Sequence, residues 1–288
     1  MYQQYAIGRF TAAALRAKSR ETSELLSQVL FGEPLRILDL GRNWSRVQCA
    51  DDGFEGYMRT HHLLPVDELT FLQQKNNPAF ALELFSPIFG EHHGMQLTLG
   101  SRLPGFDGMH LHLGNRSYTY SGQAVMSQDI QTDAELMLKI ARRLLHVPHL
   151  TGGRTPVGID APGFVQLVAR IVNLSLPRTA EAQVQCGQQV DFIVQSQAGD
   201  LAFFDDSRGN INHVGLLLPD SRIIHVYDRV RIDAIDHYGI FNYELRKYTH
   251  RLRIVKRLLP TVEHSPNVLQ ERRDKEPEDE FQMVIFEV

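Results

Sequence analysis

At 288 residues, with 43% apolar and 22% charged side chains, the chain has the size of two or three compact domains and the composition of a globular protein. Thirty Lys plus Arg against 34 Asp plus Glu give a formal charge of −4, which argues against the non-specific nucleic-acid attraction of a basic protein. Two cysteines, Cys49 and Cys186, are too few for a disulfide framework or a four-cysteine zinc site. No run approaches the ~20 apolar residues of a membrane span. Residues 1–15 have neither the basic start nor the apolar core of a secretory signal, so the expected compartment is the cytoplasm, or the periplasm if an upstream signal precedes this start.

In chain order, residues 16–66 read as short strands. Alternating apolar positions at Leu35, Ile37 and Leu40, and at Trp44 and Val47, are broken by turn signals at Gly32-Glu33-Pro34, Gly41 and Asp51-Asp52-Gly53. With an N-terminal extension they make a first barrel-like domain over 1–66. A second strand-rich block, 67–127, is read as a further small barrel. At Thr132 the period changes. Leu136, Ile140, Leu144 and Val147 fall at helical spacing behind Asp133, a capping residue, and Pro148 ends the run. The loop TGGRTPVGID follows, then APGFVQLVARIV, with Phe164, Leu167, Val168 and Ile171 on one helical face. The strands GDLAFFDD, NHVGLLLPD, RIIHVYD, RVRIDAID and HRLRIVKRLL complete an α+β domain over 128–260. In residues 261–288 eight acids stand against three bases, a local charge of −5 that leaves +1 on the other 260 residues, and this acidic tail is expected to be disordered.

The run GGRTPVGIDAPGFVQ resembles the signature of NlpC-type cell-wall peptidases, a Gly-Gly loop followed by Gly-Ile-Asp-Cys-Ser-Gly-Phe at the start of a helix. The resemblance continues through GDLAFF, NHVGLLLPDSRIIHV and RVRIDAID, while SELLSQVLFGE and GFEGYM resemble the family's bacterial SH3-like module. It implies SH3-like β-barrel modules followed by a papain-like α+β domain. It also implies γ-D-glutamyl-L-diamino acid endopeptidase chemistry on murein peptides. A cysteine at the helix start would attack, kept as thiolate by the helix dipole and a nearby histidine. On the same alignment the base falls on His213 and its orienting partner on His225.

The nucleophile position itself holds Ala161, followed by Pro162 where the family has Ser. A methyl group does not attack a carbonyl, whereas Pro is well tolerated in a first helical turn, so the helix is expected to form without the chemistry. The segment His149, Leu150, Thr151 replaces the aromatic pair that precedes Gly-Gly in the family, placing Thr151 and Pro162 on an altered substrate wall. Neither Cys49, on an expected strand, nor Cys186, in a polar stretch, has the helix-start context of an activated thiol.

Other residues carry paired readings. Asp160 would anchor a substrate amine or cap the helix, and Glu55 would bind the free amino end of a peptide or sit as an exposed strand glutamate. His92 with His93, and His110 with His112, lack a specified third ligand; no metal and no cofactor are expected. Gly152-Gly153 lacks the Gly-Lys-Ser or Gly-Lys-Thr of a phosphate loop. The leading expectation is a thiol-less relative that retains binding of a murein-derived peptide with a free N-terminal L-Ala, or acts as a scaffold, without nucleic-acid or membrane partners. The alternatives are an active hydrolase, through a relocated nucleophile or an alanine introduced at 161, and a pure interaction protein whose barrels or tail bind another protein.

Overall fold

The computed structural model describes residues 4–91, 93–113 and 116–259; the acidic-tail expectation for 261–288 and His92 lie outside the described residues. The N-terminal part is a seven-stranded antiparallel sheet curled around a small core of Ala6, Leu15, Val29, Leu35, Val47 and Met58. Its spatial order is Leu25–Leu30, Ala12–Arg16, Glu55–Arg59, Trp44–Cys49, Pro34–Asp39, Tyr5–Gly8, Leu63–Pro65. The strands Tyr5–Gly8 and Ala12–Arg16 lie in the stretch read from sequence as mostly extension. The alanines of Ala12–Arg16 carry helical propensity, yet alternating burial and pairing with Leu25–Leu30 set them as strand.

The second block opens with a helix that the strand pattern did not anticipate, α1 (Glu68–Asn76), whose first turn is capped by Asp67, accepting from the Thr70 amide at 2.7 Å. Only Phe71 and Gln74 of α1 are buried, so no apolar stripe marked it in the sequence. A four-stranded antiparallel sheet follows, ordered Gly94–Thr98, Phe85–Phe89, Arg116–Tyr120, His110–Leu113, and the short pair Ala79–Ala81 with Ala124–Met126 lies beside it.

The C-terminal part begins with α2 (Ala134–Arg143), capped by Asp133 at 2.8 Å as its spacing indicated, and α3 (Ala161–Ile171), capped by Asp160. The short α4 (Ala180–Gln183) follows. Strands Leu201–Asp205, Ile211–Leu218, Arg222–Tyr227, Arg229–Ile235, Gly239–Asn242 and Lys247–Arg257 pair in succession, and the last pairs back to the first, closing a six-stranded barrel. Helices α2 and α3 pack together, and α3 lies on the strands Ile211–Leu218 and Arg222–Tyr227. Met137, Ile140, Phe164, Leu167, Val168 and Ile171 meet Phe203, Val214, Leu216, Ile224 and Val226 there in the largest apolar cluster. The inward strand faces carry Ala202, Phe204, Leu217, Ile223, Ile235 and Ile240.

Polar contacts fasten this domain to the N-terminal barrel. Glu33, in the turn between two barrel strands, is buried and pairs with Arg154 (Nη2 to Oε1, 3.0 Å) and with Arg170 of α3. Burial lowers the Arg170 guanidinium to about 10, still charged at neutral pH. Arg154 also donates to the Gln28 carbonyl at 2.9 Å, and Gln166 of α3 donates to Asp52 at 2.7 Å. Gly152 has φ +78°, and a Cβ there would lie 2.2 Å from the Leu25 carbonyl oxygen, so the Gly-Gly loop rests directly on barrel backbone. Removing Glu33 would leave buried Arg154 with only the neutral Gln28 carbonyl and Arg170 with the more distant Asp51 at 3.5 Å. Glu33→Ala is therefore expected to lower unfolding free energy by about 3–5 kcal/mol in urea denaturation; a loss within measurement error would show that the pairing contributes nothing.

Candidate functional site

Ala161 is the first residue of α3 and is buried; Pro162, second in the helix, offers its carbonyl to Gln183 Nε2 at 2.9 Å. Proline costs little at this point because the first amides of a helix have no intrahelical acceptor. Asp160 uses both carboxylate oxygens structurally. Oδ1 accepts from the Gly163 amide (2.7 Å) and Arg178 Nη1 (3.0 Å), while Oδ2 accepts from the Gly152 amide (2.8 Å) and Arg178 Nη2 (2.7 Å). The helix-cap role of Asp160 is seen directly, and Arg178 pairs with its charge. Thr151 is exposed in the turn before the Gly-Gly loop.

His213 and His225 stand on neighbouring strands, both buried. Asp233 Oδ2 accepts from His225 Nε2 at 3.0 Å, and His225 Nδ1 lies 2.9 Å from His213 Nε2. With Asp233 ionised, His225 donates through Nε2 and accepts at Nδ1 from His213, which leaves the lone pair of His213 on Nδ1. Asp233 is held in turn by Arg231, whose Nε and Nη2 donate to its two oxygens at 2.7 and 2.9 Å, and Arg231 Nη1 donates to Glu244 at 2.9 Å. Burial, with the neighbouring His250, His225 and His149, holds His213 well below the ordinary imidazole range. Burial lowers His225 as well, against the opposing pull of Asp233. The chain of groups is thus a neutral proton acceptor backed by a fixed carboxylate.

A third histidine joins them. His250, on the strand that closes the barrel, stacks on His213 with ring centroids 4.0 Å apart, and burial brings it down to about 4. It lines a cavity of about 780 Å³ together with Asp205, Asn212, Tyr238, Tyr248 and Arg251. Glu55 lies on the N-terminal barrel, paired with Arg46 at 2.5 Å and accepting from Gln48 at 3.2 Å. His110 lies 3.4 Å from Asp107, and neither His93, His110 nor His112 belongs to a group of three potential metal ligands among the described residues.

The profile of the NlpC/P60 family matches residues 146–249, and that of the bacterial dipeptidyl-peptidase Sh3 domain matches residues 15–63. The chain carries an NlpC/P60 domain behind a bacterial SH3 domain. It is 24% identical over 231 residues to a gamma-D-glutamyl-L-lysine dipeptidyl-peptidase of Bacillus cereus, covering 70% of this chain and 67% of that protein. Its likeness to the Bacillus subtilis protein of the same name is 26% over 220 residues, 69% of this chain and 71% of the relative. A crystal structure of an NlpC/P60 family protein from Bacillus cereus superposes with a TM-score of 0.76 at 19% identity, covering 89% of this chain and all of that one. The expected fold, SH3-like β-structure followed by an α+β NlpC/P60 domain, is the observed one.

Sequence reading paired His213 with His225 but missed Asp233, Arg231 and His250. The RVRIDAID strand did hold a signal, since Arg231 and Asp233 are two apart and so share a strand face. Outside the NlpC/P60 helix start, neither cysteine is activated: burial pushes the thiols of both Cys49 and Cys186 up. Both are expected to alkylate with iodoacetamide at neutral pH more slowly than free cysteine. Faster labelling at either position, followed by mass spectrometry, would reveal an activated thiol.

Proposed function

We propose that this chain binds murein-derived peptides in the cleft of its NlpC/P60 domain without cleaving them by the thiol mechanism. The observation that carries this reading is the presence of Ala161 at the head of α3, a helix packed on the strands that carry an intact His213–His225–Asp233 chain. Acid–base groups alone do not replace a nucleophile that forms the acyl intermediate. The relatives' names, gamma-D-glutamyl-L-lysine dipeptidyl-peptidase, support a peptide of the γ-D-glutamyl class as ligand. Glu55 is the proposed partner of a free N-terminal amine, because its carboxylate, though paired with Arg46, is partly exposed, while that of Asp160 is mostly buried against Arg178 and the helix cap. Thr151 and Pro162 are proposed to border the peptide.

Metal-stripped protein incubated with L-Ala-γ-D-Glu-diaminopimelate in the presence of a chelator is expected to leave the peptide intact by mass spectrometry. Calorimetry is expected to show saturable binding, weakened at least about tenfold by Glu55→Gln, the loss typical of a hydrogen bond to a charged group. Cleavage that disappears in His213→Ala would overturn the reading in favour of an active hydrolase. Absence of any heat would favour an interaction protein with a vestigial cleft.

A further inference from the structure

The hydrogen-bonded chain His213–His225–Asp233 accounts for two histidines of the site and leaves the third without a task. His250 bonds only Thr249 among the described residues, with Nδ1 at 2.9 Å from Oγ1, so its Nε2 remains for another partner. One ring nitrogen from each of His213, His225 and His250 lies within 4.8 Å of one from each of the others, the only such grouping among the described residues. Ring centroids are separated by 4.0, 5.2 and 5.6 Å. Three imidazoles on one tetrahedral ion, with metal–nitrogen bonds of about 2.0 Å, place their centroids about 5 Å apart with in-plane lone pairs converging. His225 already stands across the other two rings at 86–89°, whereas His250 lies at 24° on the face of His213 and must turn off it to share an ion.

We propose that His213, His225 and His250 form a zinc site beside the cavity that His250 lines, with a fourth coordination position open to a ligand oxygen. Three imidazole nitrogens without thiolate or carboxylate in the set suit zinc among the common divalent ions, rather than magnesium or calcium. Partners for the outer nitrogens of two of the rings are in place. His225 donates its far nitrogen to Asp233, which Arg231 grips through both oxygens, the carboxylate–histidine pairing that orients metal-bound imidazoles. Thr249 likewise fixes His250 through Nδ1. Entry of the ion requires His250 to swing off the face of His213, and His213 Nε2 and His225 Nδ1, which point at each other at 2.9 Å, to part to about 3.3 Å and turn toward a common centre. The proton between them moves to His213 Nδ1, a change of tautomer with no net release.

The test is calorimetric titration of zinc chloride into the tag-free, metal-stripped full chain at neutral pH, with no peptide present, so its outcome is independent of the peptide reading. One equivalent is expected to bind, with affinity falling at least about tenfold in His225→Ala and in His250→Ala and unchanged in a Cys49→Ser, Cys186→Ser double variant. Circular dichroism establishes that each variant is folded, and His250→Asn replaces the alanine variant if that one unfolds. Cobalt(II) provides a readout that needs no substitution: the wild-type chain is expected to give the intense visible absorption of a four-coordinate nitrogen site without a thiolate charge-transfer band. No saturable zinc binding, an isotherm that the His250 substitutions leave unchanged, or a six-coordinate cobalt spectrum would each overturn the proposal.

Discussion

One buried carboxylate, Glu33, sets how the two halves of the molecule meet. It sits in a tight turn of the SH3 domain, where Oε2 accepts from the Leu30 amide at 3.0 Å, and it faces guanidinium groups from the Gly-Gly loop and from α3. A lone carboxylate in that position would be expelled or protonated; with two arginines and a backbone donor its desolvation is offset. Arg154 precedes α3 and Arg170 lies in its last turn, so this cluster ties the approach to the helix and its far end to the barrel. Asp51 adds a second acid, pairing with Arg102 at 2.7 Å and Arg170 at 3.5 Å.

Downstream of that anchor, chemistry divides between two scaffolds. The helix start is held by local devices: the Asp160 cap, its pairing with Arg178, and the glycine contact with Leu25. The histidines are held by long-range pairing, because His213, His225 and His250 occupy three strands whose order is fixed only when the barrel closes. The first arrangement presents Ala161 at its head. The second is complete.

This division also explains what could be read from sequence. The Asp133 and Asp160 caps, the α3 stripe and the barrel turns are local patterns of charge and apolar spacing, legible in a short window. His213 and His225 belong to consecutive strands, twelve residues apart, and their pairing was legible through the motif they share. Asp233 lies one strand further on, and His250 returns from the far side of the closed barrel, beyond the strand Gly239–Asn242, which no apolar alternation marked. Glu33 looked like a turn residue in Gly-Glu-Pro because its partners are more than a hundred positions away.

The contact between Gly152 and the Leu25 carbonyl, together with the arginines that reach across, bears on how the protein comes apart. If the SH3 domain opened first, Arg154, Arg170 and Arg178 would lose Glu33, Gln28 and Ser27 at once, and the Gly-Gly loop would lose the surface that shapes it. Partial unfolding of either half therefore exposes charge in the other. These shared contacts couple the stabilities of the two domains, so a C-terminal fragment cut free of its barrel would give up partners that hold the head of α3.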